Sequence, residues 1–185
     1  MSPEDVLAAF RAPKRMWART ELLSEPSSIP RAQGIYGWYF DEPPHPACTN
    51  VGTVVNGWSL LYVGIAPGRV GSTSNLRTRL RSHLKGNARG STLRLTLGCL
   101  LAERLGLRPV ARSGGLHFGS GEDAISAWLG SHARVSWVEL DNPWTVEADV
   151  VKRIGAPLNR QHNETHEFYP ILGTLRRAMK DSLRT

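Results

Sequence analysis

Two tyrosines, an arginine, a histidine, a glutamate and an asparagine lie along this chain in an order that suits phosphate chemistry. Tyr36 closes Gly34-Ile35-Tyr36, and Tyr62 opens Tyr62-Val63-Gly64. Arg79 and His83 follow, four residues apart, and Asn159 lies twelve residues beyond Glu147. Hydrolysis of a phosphodiester needs an activated water, a cation on the phosphoryl oxygens, compensation for transition-state charge and a route for the leaving-group proton. Two phenols, a guanidinium, an imidazole and a carboxylate supply groups of those kinds. Each also has a bland reading by itself. A first-turn Glu complements a helix dipole, charged residues on a helix face are ordinary surface, and a strand Tyr usually packs in the core with its hydroxyl satisfied at the edge.

Chemistry follows only if the backbone gathers these groups. Gly34–Phe40 is rich in aromatic and β-branched residues and predicts a strand. Leu60–Ile65 predicts a second, apolar throughout and so buried on both faces; Val135–Leu140 predicts a third. Leu76, Leu80 and Leu84 recur at four-residue spacing, an amphipathic helix over Asn75–Leu84 capped by Asn75 or Ser74. Arg79 and His83 are at i and i+4 on that helix, on one face beside the leucine stripe. Ser2-Pro3-Glu4-Asp5 is a capped helix start running to about Arg11, and Lys14–Leu23 continues helical beyond Pro13. Further helices are expected at Ser91–Leu105, Glu122–His132, Pro143 to about Ile154, and Pro170–Leu183. Gly155 stops the helix that carries Glu147 near its start, and Pro157 prevents its resumption. Ser24–Arg31, Asp41–Gly57, Arg108–Ser120 and Asn159–Glu167 read as loops, with room for a short strand at Asn50–Val55 and another within Arg108–Ser120. Few strands among many helices give an α/β or α+β domain, a small sheet wrapped by helices.

Net charge is +7 in 185 residues, and its distribution matters more than its size. Between Glu42 and Glu122 the only acid is Glu103, against ten bases. Arg69, Arg77, Arg81, Lys85, Arg89 and Arg94 are those placed to contact nucleic acid, because an Arg-dominated block is an electrostatic footprint for a polyanion. A solvated helix face would account for the same charges. On the last helix, Arg176, Arg177 and Lys180 could add phosphate contacts, giving affinity without base readout. Cys48 and Cys99 imply no disulfide framework, and Cys99 reads as a small buried side chain. No apolar run approaches a membrane span and the first residues carry acids rather than a signal's apolar core, so a soluble, cytoplasmic protein is expected.

Taken together, Gly34-Ile35-Tyr36, Tyr62-Val63-Gly64, Asn75–Leu80, Glu147 and Asn159 resemble the GIY-YIG nuclease family over most of the chain, with Val63 an isosteric replacement in a buried strand. The resemblance implies a three-stranded antiparallel sheet flanked by helices and a metal-dependent DNA endonuclease. It further implies that Glu147 binds a divalent Mg²⁺ or Mn²⁺ ion and that Arg79 contacts the scissile phosphate. Tyr36 or Tyr62 would position or deprotonate the attacking water, with His83 as partner for the proton. Asn159 would orient the site near the metal or support the helix of Glu147. A tyrosine with its ordinary pKa near 10 is a poor base, so Arg79, the metal and His83 would have to lower it. The expected division is a helical appendage over 1–33, a catalytic domain over 34–160, and a C-terminal loop and basic helix over 161–185 packed on that domain. Asp41–Ser59 departs from the family's short hairpin as an insertion. One active site per chain means that cutting both strands needs a homodimer or sequential nicking.

Other readings compete. The same scaffold could bind nucleic acid without cutting. His162 and His166 are at i and i+4 and invite zinc, but a metalloprotease needs Glu directly after the first His on a continuous helix, and this segment follows Pro157 as loop. His45 and Cys48 are only two ligands. Trp128, Trp137 and Trp144 suit packing better than base stacking.

Overall fold

The computed structural model describes residues 1–48, 52–112 and 115–183, apart from the side chain of Arg112. At its centre is β2, Gly34–Phe40, in which every residue is buried. β4 (Trp58–Ala66) and β7 (Ala133–Glu139) flank it, both antiparallel. The main sheet has five strands rather than the three expected, in the order β1-β7-β2-β4-β3. The additions are two-residue edge strands, β1 (Trp17–Ala18) and β3 (Val54–Val55), too short to carry an alternating pattern. Asn50 and Val51 of the expected short strand lie outside the described residues. A separate hairpin, β5 (Val110–Arg112) with β6 (Gly115–His117), occupies the expected loop after Arg108.

Alternation along β2 divides the core. Ile35 and Tyr39 join Val6, Leu7 and Phe10 of α1 (Pro3–Arg11) and Val150, Val151 and Ile154 of α7 (Glu147–Ile154) on one face. Tyr36, Trp38 and Phe40 face the other layer: α2 (Arg19–Leu23), α3 (Leu76–Lys85), α4 (Thr92–Leu100), α6 (Gly121–His132) and α8 (Phe168–Asp181). The α3 leucines at 76, 80 and 84 are all fully buried there, as the spacing predicts.

Three helix expectations are corrected. Lys14–Leu23 is not one helix. Trp17 and Ala18 pair with β7, where Trp17 stacks on Trp137 with ring centroids 5.6 Å apart. The carboxylate of Glu21 accepts the Ala18 N–H at 2.6 Å, starting α2 only beyond it. The Ser91–Leu105 helix breaks at Leu101 into α4 and α5 (Ala102–Leu105). Pro143–Thr145 forms a separate 3₁₀ turn, so Glu147 is the first residue of α7. Trp128 stacks on Phe40, and both belong to the core, as expected of that tryptophan.

Candidate active site

Tyr36 is directly opposite Gly64 across the β2–β4 pair. A Cβ at Gly64 would overlap the Tyr36 hydroxyl, so only glycine lets the phenol lie across the neighbouring strand. Tyr62 reaches the same layer by alternation, two residues before Gly64 and directly opposite Trp38. The register slips between Trp38 and Tyr39, so Leu61 is bulged and turns toward the α3 side as well. The bulge also leaves Leu61 O to accept the Leu158 N–H at 2.9 Å. Beyond it Asn159 completes the outer edge of β4: its Oδ1 accepts from Val63 N and its Nδ2 donates to Val63 O, both at 2.8 Å. Asn159 thus holds the backbone between Tyr62 and Gly64 in place, a strand-edge role that sequence spacing could not show.

From α3, Arg79 Nε donates to Tyr36 Oη at 3.3 Å and Nη1 donates to Gly90 O at 3.2 Å. One turn on, fully buried His83 lies with Nε2 2.8 Å from Tyr36 Oη and Nδ1 2.6 Å from Ser91 Oγ. In the tautomer with its proton on Nδ1, His83 donates to Ser91 and accepts the Tyr36 proton at Nε2; in the other, Ser91 donates to Nδ1 and Nε2 donates to Tyr36. Behind it stands Arg94, whose N–H donates to Ser91 Oγ at 3.1 Å and whose Nη1 donates to His83 O at 3.2 Å. Its guanidinium pairs with Glu122 Oε2 at 2.8 Å. Glu122 Oε1 in turn accepts from Ala88 and Phe118 backbone N–H groups, at 2.9 and 3.2 Å.

Electrostatics follows burial. Desolvation pushes both phenols above the ordinary tyrosine range, with the facing Tyr62 adding to the effect on Tyr36 and Arg79 opposing it on both. Burial, then the Arg79 and Arg94 cations, hold His83 well below the usual imidazole value, so it is neutral at pH 7. Tyr36, Tyr62, Arg79, Glu147 and Asn159 all line one cleft of about 530 Å³. Burial raises the Glu147 carboxyl, opposed by His162 and Arg79. Glu147 accepts no hydrogen bond and makes no ion pair among the described residues. A desolvated carboxylate without a partner is the donor expected to receive a cation. No group of three or more His, Cys, Asp or Glu suited to a metal occurs among the described residues. The set therefore fits a hard ion held by one carboxylate, waters and substrate phosphate better than a tetrahedral zinc site.

The family model for the GIY-YIG catalytic domain matches residues 34–178. This chain belongs to that family. No curated protein and no solved structure was found to match it. GIY-YIG proteins are nucleases, and the match spans both strands of the name, α3, Glu147 and Asn159.

Around this GIY-YIG cleft the basic residues fall into distinct groups. Arg69 is exposed and lines the cleft, while Lys85 and Arg89 are exposed beyond it. Arg77 and Arg81 are engaged within the fold, Arg77 donating to Ile29 O at 2.7 Å and Arg81 pairing with Glu25. Arg94 is wholly buried and cannot meet a phosphate at the surface, which removes it from the expected nucleic-acid contacts. The insertion does not fold over the cleft in its described first part: Asp41 and Glu42 pair with His132, Glu42 also pairs with Arg104, and His45 packs on Phe168. Sequence reasoning missed Ser91, which also caps the start of α4, and Arg160, which lines the cleft beside Asn159. Its position directly after Asn159 was the available signal.

Proposed function

We propose that this GIY-YIG protein is a metal-dependent DNA endonuclease that hydrolyses phosphodiester bonds in the cleft between β2, β4, α3 and α7. The observation that carries the reading is the unpaired, half-buried Glu147 carboxylate sharing one cleft with Tyr36, Tyr62 and Arg79. Glu147 would hold a Mg²⁺ or Mn²⁺ ion, which when bound supplies charge neutralisation at the phosphoryl oxygens.

The chain's own groups divide the remaining work. Arg79 is fixed by Tyr36 and Gly90 and presents its guanidinium to the phosphate, compensating transition-state charge. Tyr36 acts as a relay: as the attacking water bonds to phosphorus and the bond from phosphorus to the leaving sugar oxygen breaks, the water's proton passes to Tyr36 Oη and the Tyr36 proton to His83 Nε2, while the leaving oxygen takes its proton from solvent in the open cleft. The Tyr36 pKa is raised and not lowered as a tyrosinate base would require, so the phenol stays protonated at rest and serves only as a relay. Burial keeps His83 neutral, which leaves a ring-nitrogen lone pair free, while burial and the Arg79 and Arg94 cations disfavour the imidazolium until the bound phosphate's charge offsets them. Tyr62 orients the water from the opposite strand, and Asn159 keeps the Tyr62–Gly64 backbone in register. Arg69, Lys85 and Arg89 extend the positive surface for the phosphate backbone, and a homodimer would place two such clefts on opposite strands.

The test is incubation with supercoiled plasmid and Mg²⁺. Wild type converts it to nicked or linear DNA, while EDTA or Glu147→Ala stops conversion. Salt-sensitive binding without cleavage of duplex, branched or single-stranded DNA would instead make this a non-cleaving binding module.

A further inference from the structure

Beside the catalytic cleft lies a second recess of about 470 Å³, formed by α8, α4 and the β5–β6 hairpin. Aliphatic groups make its floor, Leu95 and Leu116 among them, with Gly173 on the α8 side. Arg160, Arg176, Arg177 and Lys180 also line it, and no carboxylate among the described residues does. Arg160 lines both recesses, so the two meet at its guanidinium. That group donates Nη2 to the Tyr169 hydroxyl at 3.3 Å, while its buried Nε has no partner among the described residues. Arg176 is half-buried and donates no hydrogen bond to a described residue; burial and the Arg160 charge both disfavour its protonated form. Four mutually repelling cations around an apolar floor are unfavourable until an anion with an apolar face sits among them.

We propose that this groove binds an unpaired DNA strand as it leaves the catalytic cleft, with phosphates on the four cations and a base face on the aliphatic floor. A duplex keeps its base faces within the stack and offers a recess only phosphates and sugar. An unstacked nucleotide presents both the charge and the apolar face that this lining matches. Continuity through Arg160 places the strand next to the scissile phosphate, and to that extent the inference rests on the nuclease reading.

Gly173 allows a test that leaves every charge in place. A Cβ there meets only Arg160 Nη2 at 3.8 Å and Arg177 Nη1 at 4.0 Å, ordinary contacts, so the helix accepts a side chain that then grows into the groove. Fluorescence anisotropy in EDTA compares a blunt duplex with the same duplex carrying a single-stranded extension, with thermal melting as the control for folding. Gly173→Leu is expected to weaken the extended substrate about tenfold, the loss of one base contact, and to leave the blunt duplex unchanged. The exposed pair Arg177→Glu/Lys180→Glu is expected to flatten the salt dependence of the extended substrate alone, by about one unit of slope or more. Equal effects on both substrates, or none on either, overturn the proposal. Extension-selective binding that survives alongside an absence of cleavage would count against the nuclease reading and still support the groove.

Discussion

Tyr36 and Gly64 face each other across two buried strands, and the absence of a single carbon at Gly64 decides where the phenol lies. Gly64→Ala is expected to cost about 1–3 kcal/mol, the price of overpacking a filled core, and to lower cleavage more than binding because it displaces the relay oxygen. Chemical denaturation with single-turnover kinetics would check both. His83 gives a pH prediction. Its folded pKa lies well below the unfolded value near 6.5. The unfolded chain therefore binds a proton that the native state refuses as pH falls, and this group's contribution to stability, present above pH 6.5, is lost progressively below it. Replacement by Gln should remove that part of the acid-side loss in melting curves. For Glu147 the sign is opposite. Its pKa is raised by burial, so the ionised form weighs on the fold at neutral pH. Glu147→Gln should raise the melting temperature as it abolishes activity, a trade expected where a buried charge is only partly offset by its neighbours. The types and order of these residues were legible in the sequence. The contact of His83 with Tyr36, the partner Ser91 and the unpaired state of Glu147 were not, since each depends on a neighbour brought from another element.

The elements nearest the site are held by two polar arrangements. At the edge of β4, Asn159 satisfies both backbone groups of Val63. Asn159→Ala leaves them unpaired and should cost about 1–3 kcal/mol, with faster amide exchange at Val63. Between α3, α4 and α6, Arg94 and Glu122 form a buried pair that also fixes His83 O and the Ala88 and Phe118 backbones. Arg94→Met strands a largely buried carboxylate and should cost about 3–5 kcal/mol. Adding Glu122→Leu should recover only part of it, because two backbone donors then lose their acceptor. Read linearly, Arg94 is one more base in a basic block, and nothing in its spacing separates it from exposed Arg89. The three long strands and α3 were legible because their hydrophobic patterns are long and unmixed. β1, β3 and the β5–β6 hairpin offer two or three residues each, too few for a period, and are set by tertiary partners such as the Trp17–Trp137 stack.

Across the whole molecule, α1 closes one face of the sheet and the α8 layer the other, with the cleft opening where β4 meets α7 and α3. One cleft per chain should make nicked plasmid accumulate before linear product, at a rate that falls steeply with salt as a net charge of +7 implies. No helix among the described residues is long and apolar enough to cross a membrane. In the proposed division of labour, Glu147 and Tyr36 perform hydrolysis on DNA that other residues bind. The most direct test of that division is single-turnover cleavage of a labelled duplex by wild type, Glu147→Ala and Tyr36→Phe, with binding measured on the same DNA. Both variants should retain binding within a few-fold and lose cleavage by roughly 10²-fold or more. Cleavage at the wild-type rate by either variant would contradict the account.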